Sequence, residues 1–465
     1  MNMINVRRLA AMTFLGARML SDISAQDFSL QADTLNEARL PAQWDLQSCI
    51  DYALEQNITI RKNRVTAEST QIDVKTAKAA LFPSLSFSTS QQVVNRPYQE
   101  TSSRVSGSEI ISSNSKTSYN GNYGLNASWT IYNGSKRLKT LKQERLNNQV
   151  AELDVATSEN TIKESIAQIY IQILYAAESV RVNENTLQVS IAQRDRGQEL
   201  LNAGSIAKSD FAQLEAQVST DRYQLVTAQA TLQDYKLQLK QLLELDGENE
   251  MNVYLPKLSD ENVLAPLPAK KDVYVSALAI RPEIEASKLN VEASELGIDI
   301  AKSSYFPTIS LSAGIGTNHT SGSDFTFGEQ VKNGWNNSIG LSVSVPIFNN
   351  RQTKSAVQKA KLQRETDMLS LLDEQKALYK TIESLWLDAN SAQQRYAAAN
   401  EKLRSTQISY DLISEQFNLG MKNTVELLTE KNNLLQAQQE QLQAKYMAIL
   451  NTQLLKFYQG DKLTL

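Results

Sequence analysis

The sequence predicts a mainly α-helical chain that is written twice and carries four β-strands of membrane type. Three observations predict it. The 465 residues include only 17 Gly and 9 Pro, a composition that suits long helices. Matching segments recur at a nearly constant offset, the mark of a tandem duplication. Between the helical segments lie four runs in which apolar residues alternate with small polar ones.

The chain begins with Arg7 and Arg8, an apolar stretch from Leu9 to Ala17 and a small-residue site ending at Ala25. This order predicts a secretory signal peptide over residues 1–25, followed by a polar segment over 26–43. The first repeat is expected over 44–247, a connecting segment with three prolines over 248–271, the second repeat over 272–458 and a tail over 459–465. Cys49, in LQSCIDYAL, reads as a small buried helix residue,.

The duplication is plainest where AKAALFPSLS is answered by AKSSYFPTIS, with Pro83 and Pro307 at offset 224 (307 minus 83). LNASWTIYNG at Leu125 and LSVSVPIFNN at Leu341 lie 216 apart, as do Gly204 and Gly420. The first copy therefore holds eight extra residues (224 minus 216), in the Ser/Thr/Asn-rich stretch Gln91 to Gly121. Length differences gather in exposed loops.

Strands are expected over about 84–95, 117–132, 308–318 and 335–348. Tyr123, Leu125, Ala127, Trp129 and Ile131 alternate with Asn, Gly, Ser and Thr, and Ile339, Leu341, Val343, Val345 and Ile347 repeat the pattern. An apolar face opposite an uncharged, small polar face fits a membrane barrel with a wet lumen. Pro83 and Pro307 each stop a helix and open a strand where a missing N–H does least harm. Four strands cannot close a barrel, and open edges are not tolerated in lipid, so several chains must contribute. No apolar run approaches the ~20 residues of a spanning helix.

The helices carry heptad seams, which predict left-handed supercoiling. Ile162, Ile166, Ile169, Ile173, Ala176, Val180, Asn183 and Leu187 form one, and Leu378 to Phe417 repeats it at offset 216. A return helix from Ser209 toward Leu243 shows its own stripe, including Phe211, Leu214, Val218, Leu225 and Leu239, which Asp221 breaks.

Several function classes are excluded by composition. The net charge of -4 comes with no basic stripe, which argues against a nucleic-acid partner,. One His (His319) and one Cys leave no zinc spacing, no Cys/His nucleophile pair and no disulfide,. The nucleotide, metalloprotease and hydrolase motifs are absent as well. No enzyme, metal or cofactor is expected.

The order helix, Phe-Pro, strand, loop, strand, long helix, Gly turn, return helix resembles the TolC-like outer-membrane efflux proteins. ALAIRPEI at Ala277, VPIFNN at Val345 and QFNLGMKNTVELL at Gln416 carry the resemblance, which covers about Trp44 to Tyr458. It implies a homotrimer whose subunits each give four strands to one twelve-stranded barrel in outer-membrane lipid, continued by a periplasmic α-barrel of coiled-coil hairpins. It further implies a periplasmic adaptor, an inner-membrane pump and a passive exit duct for efflux or type I secretion. Carried over by position, Gly204, Gly420 and Lys422 would mark the periplasmic tip and adaptor contact. Ser209, Asp210, Phe417 and Glu426 would form the tunnel gate. The chain has Lys422 where Arg is frequent in the family, Phe417 where Tyr can occur and Thr429 where a second acid can stand. These departures imply a weaker latch. With no Cys just after the signal, no lipid anchor is expected. The rival expectation is a secreted trimeric coiled-coil scaffold or adhesin.

Overall fold

The computed structural model describes residues 41–98, 102–106, 109–113, 116–246, 251–256, 263–321, 323 and 325–464. The expected signal peptide and the polar segment up to residue 40 lie outside them. Trp44 and Met251–Tyr254 form a small unit joined by a parallel bridge between Trp44 and Val253. Within it, the Tyr254 N–H donates to the Trp44 carbonyl at 2.9 Å.

The remaining described residues form a second unit. It opens with α1 (Leu46–Gln56) and α2 (Ile58–Ala79). Asn57 separates them, because its Oδ1 accepts the Thr59 N–H at 3.0 Å and caps α2,. The buried Cys49 thiol on α1 is pushed up to about 12 by desolvation, so it behaves as an inert small side chain,. After α2 come β1 (Ser84–Asn95), a small hairpin of β2 (Ser102–Ser106) and β3 (Glu109–Ser113), and β4 (Thr117–Asn133). The hairpin lies within the Ser/Thr/Asn-rich stretch Gln91 to Gly121, where the composition predicts a loop. Two long helices follow, α3 (Lys136–Asn202) and α4 (Lys208–Leu242).

The second copy runs α5 (Lys270–Ile280), α6 (Pro282–Ser303), β5 (Thr308–Thr320), α7 (Phe327–Asn333), β6 (Asn336–Ser344), α8 (Gln352–Asn418) and α9 (Thr424–Gln459). Helix starts keep the sequence offsets: 224 for α2 and α6 (282 minus 58), and 216 for α3 and α8 (352 minus 136). Both α3 and α8 have 67 residues, about 100 Å of helix at 1.5 Å per residue,. Strand β6 stops at Ser344 rather than reaching residue 348, because Pro346 has no N–H to give the ladder,.

Four strands pair antiparallel in the order β1-β4-β5-β6. Their register lines up whole rows: Ser84, Ser128, Ser312 and Gly340 on one face, and Leu85, Ala127, Ala313 and Ile339 on the other. The apolar face is open, with Leu85, Phe87, Ile339 and Leu341 each more than 60 % exposed. The outer edges of β1 and β6 have no strand beside them among the described residues. Trp129 sits on the apolar face and its indole N–H donates to the Leu81 carbonyl at 2.8 Å, tying β4 to the Phe-Pro turn.

Strand passes into long helix through two consecutive left-handed residues in both copies: Gly134 (φ 67°) and Ser135 (64°), then Asn350 (50°) and Arg351 (64°). In the first copy a Cβ on Gly134 would lie 2.6 Å from the Ser303 carbonyl oxygen. Gly134→Val is therefore expected to lose more than the ~1–2 kcal/mol of a left-handed residue alone. Thermal unfolding of the purified variant measures it, and an unchanged midpoint would show that the junction relaxes.

Apolar packing gathers the helices of the second copy. Val273 and Ala277 of α5, Ile284 of α6, Leu378, Ile382 and Ala389 of α8, and Leu455 and Tyr458 of α9 form one buried cluster. The connecting segment is bound to α8, with the Gln393 amide donating to the Val263 and Ala265 carbonyls at 3.0 and 2.8 Å and the Trp386 indole to Pro268 at 3.0 Å. No described helix is long and apolar enough to cross a membrane.

Candidate gate and docking tip

The α3–α4 and α8–α9 hairpins each end in a glycine turn. Gly204 (φ 72°) and Gly420 (φ 74°) take the left-handed position that closes a helix, and a side chain on either would meet open space,. The Ser205 and Met421 N–H groups reach back to the Leu200 and Gln416 carbonyls at 2.8 Å each. Leu419, Met421 and Val425 are well exposed beside the second turn.

The acids of the expected gate are held by their own hairpins. Asp210 accepts the Ala207 N–H at 3.2 Å at the start of α4, while Ser209 beside it is exposed. Glu426 accepts the Asn423 N–H at 3.2 Å, and Asn423 returns the bond by accepting the Glu426 N–H at 2.9 Å,. Lys422 donates to Glu426 at 2.5 Å, one turn away on the same hairpin. The lysine bond, then the capping bond, hold the Glu426 carboxyl below its usual range, so it stays charged,. Thr429 is exposed and bonds back to the Val425 carbonyl at 2.7 Å.

Phe417 is different, for it is only 3 % exposed and packs with Leu214 of α4 and Leu427 of α9. Leu200, Tyr410, Ile413 and Leu428 surround that cluster. Two turns up, the Gln193 amide of α3 donates to the Tyr410 hydroxyl of α8 at 2.8 Å,. Within one chain, Phe417 and this bond, rather than the tip charges, connect the two hairpins near their ends.

Further up, the residue that broke the stripe proves to continue it. Asp221 is 1 % exposed and follows Leu214 and Val218 on the buried side of α4. Its Oδ2 accepts from Lys431 of α9 and from the Ser190 hydroxyl of α3, while Lys431 also donates to Ser190. Gln217 donates to Oδ1 at 2.8 Å. Burial pushes the Lys431 ammonium down, and the bond to Asp221 opposes that shift,. A signal was available in the sequence. Lys431 follows Leu427 by four and precedes Leu434 by three, so opposite charges stand at seam positions of the two return helices.

A four-stranded sheet with an exposed apolar face thus carries helical hairpins whose longer arms run about 100 Å and which end in glycine turns, the build of an outer-membrane-type β-sheet on a helical stalk,. The chain belongs to the outer membrane efflux protein family, which it matches over residues 49–244 and 273–460. It is 26 % identical to the outer membrane efflux protein BepC of Brucella suis over 63 % of this chain and 61 % of that one. It is 24 % identical to the outer membrane protein TolC of Escherichia coli over 70 % of this chain and 66 % of that one. The matches therefore span less than two thirds of either relative. The fold is that of the solved structure of CusC, described in connection with transmembrane channel formation, at TM-score 0.76 and 19 % identity over 91 % of this chain and 94 % of that one. Of the two functions the sequence left open, a channel and a soluble scaffold, the family match supports the channel.

Proposed function

We propose that this protein is the outer-membrane exit duct of a tripartite efflux or type I secretion system, with no chemistry of its own. Three copies close a twelve-stranded barrel in outer-membrane lipid, and their hairpins continue it as a helical barrel in the periplasm. An inner-membrane pump supplies the energy, a periplasmic adaptor docks on the tips, and small molecules or polypeptides pass through. One observation carries this reading: among the described residues the sheet is open at both edges and apolar on an exposed face, so it satisfies its backbone in lipid only by joining other copies,.

Single-channel recording of detergent-extracted protein, after its oligomer is established, tests the duct. A small, cation-favouring conductance is expected, because charged Asp210 and Glu426 at a constriction favour cations. A well-folded trimer that never inserts would overturn the proposal.

Gly204, Gly420 and Lys422 are the proposed adaptor contact, and Ser209, Asp210, Phe417 and Glu426 the proposed gate. The open space around both glycines and the exposure of Leu419 and Met421 support docking there. Gly420→Trp is expected to abolish adaptor cross-linking while trimers persist, and normal cross-linking would remove this turn from the interface. Asp210→Ala is expected to raise resting conductance; an unchanged value would reject Asp210 as a gate residue.

A further inference from the structure

Tipward of the Arg281–Glu164 ion pair, the contacts between the two repeats along α3, α4, α8 and α9 include three levels that differ in chemistry. Toward the tips the contact is the neutral Leu214–Phe417–Leu427 cluster. Toward the sheet it is a neutral hydrogen bond, from the Ser179 hydroxyl to the Gln439 side chain at 3.0 Å. Between them stands the ion pair of Lys431 and Asp221, with Ser190 bonded to both, and none of the three is more than 3 % exposed.

Apolar packing is non-directional and tolerates sliding. A buried, hydrogen-bonded ion pair does not, since a small displacement leaves a charge without water or partner. The best-attested use of such a group in a helical interface is to select one register among several. Asp221 lies 13 residues into α4 (221 minus 208), about 20 Å along the helix from its first residue,. Among the described residues, the tip segments below it meet the opposite hairpin through the Leu214–Phe417–Leu427 cluster and the Gln193–Tyr410 hydrogen bond, while Asp210, Lys422 and Glu426 bond within their own hairpins.

We propose that Ser190, Asp221 and Lys431 form a cross-repeat pin that locks α4 to α9 in one register and sets the level below which the two tips separate when the duct opens. The pin is a positioning device that touches no cargo, and it deepens the duct reading on which it rests. Opening by this route leaves the ion pair intact and is confined to the Leu214–Phe417–Leu427 cluster and the turns beyond it.

Full-length trimers carrying Asp221→Asn, Lys431→Met or the charge reversal Asp221→Lys with Lys431→Asp would be compared in planar bilayers and by hydrogen exchange. Either single variant is expected to raise resting conductance several-fold, and the reversal to bring it back toward wild type. Exchange should quicken in 191–202, 208–221 and 424–431 and stay unchanged in 222–242 and 432–459. Should the single variants fail to assemble, Asp221→Leu with Lys431→Met keeps the site filled without a buried charge, and the same rise is expected of it.

Wild-type conductance in assembled variants, or exchange that quickens evenly along the helices, would reduce the cluster to ordinary packing and overturn the pin. If wild-type trimers carry no current at all, the duct reading falls, and the exchange pattern alone still decides whether the pin exists.

Discussion

Replacing Arg281 by alanine is expected to remove about 2–3 kcal/mol of stability, somewhat less than the ~3–5 kcal/mol of breaking a fully buried pair, because the Glu164 it would strand keeps 22 % of its side chain exposed,. Arg281 holds the hinge between α5 and α6, the place that Asn57 holds in the first copy at offset 224 (281 minus 57). Its side chain is 6 % exposed, donates to Glu164 of α3 at 2.8 Å and lies 3.6 Å from the centre of the Tyr458 ring. One side chain thus joins three helices by charge and by stacking.

The loss should depend on pH in a stated direction. Burial raises the Glu164 carboxyl above its ordinary 4.5, and the Arg281 bond opposes that rise. Without Arg281 the opposition is gone and the folded-state pKa climbs further. A group whose folded pKa is raised contributes stability that is fully present below the unfolded pKa and is lost as pH rises through the folded one. The deficit of Arg281→Ala should therefore be smallest well below pH 4.5 and grow toward neutrality. Denaturant unfolding in detergent across that range measures it. A deficit independent of pH would mean that stacking on Tyr458, rather than charge, is what Arg281 contributes; Arg281→Lys should then fare no better than alanine.

Leu341→Arg is expected to prevent assembly in the outer membrane. Leu341 on β6 stands opposite Leu311 on β5, in a row that continues to Trp129 on β4. It is 65 % exposed in the single chain, so nothing in the protomer covers it. A guanidinium on the lipid face of a barrel strand is destabilising by about 2–4 kcal/mol near the bilayer midplane, and three copies would each carry it. The neighbouring Ser342→Arg is the control, because Ser342 pairs with Ser310 on the small polar face and would project into water. Heat-modifiable trimer in outer-membrane fractions should vanish for the first and persist for the second. Equal tolerance of both would mean that the faces are assigned the wrong way round.

Much of this architecture was legible because two periodicities are hard to imitate. Strand alternation put Leu125, Trp129 and Leu341 on one face, and the conserved spacing between the copies placed α6 and α8 once α2 and α3 were read. Less legible were the excursions: β2–β3 and α7 sit in loop-like stretches too short to display a period. Of the tip residues, Gly204 and Gly420 were readable as turns because a left-handed residue favours glycine. The partners of Asp210, Lys422 and Glu426 were not readable, since a charged side chain near a helix end reaches either its own cap or a neighbouring helix with equal ease.

Asp221 shows where sequence reasoning ends. Hydrophobic pattern alone decided that the chain repeats, that its strands suit lipid and that its helices pair, because apolar burial depends on spacing along one element. Whether a charge in a seam breaks the stripe or completes it depends on what faces it from another element. Lys431, 210 residues away in the chain, faces Asp221 only once both hairpins have folded and packed, and desolvation then makes each of the two charges require the other.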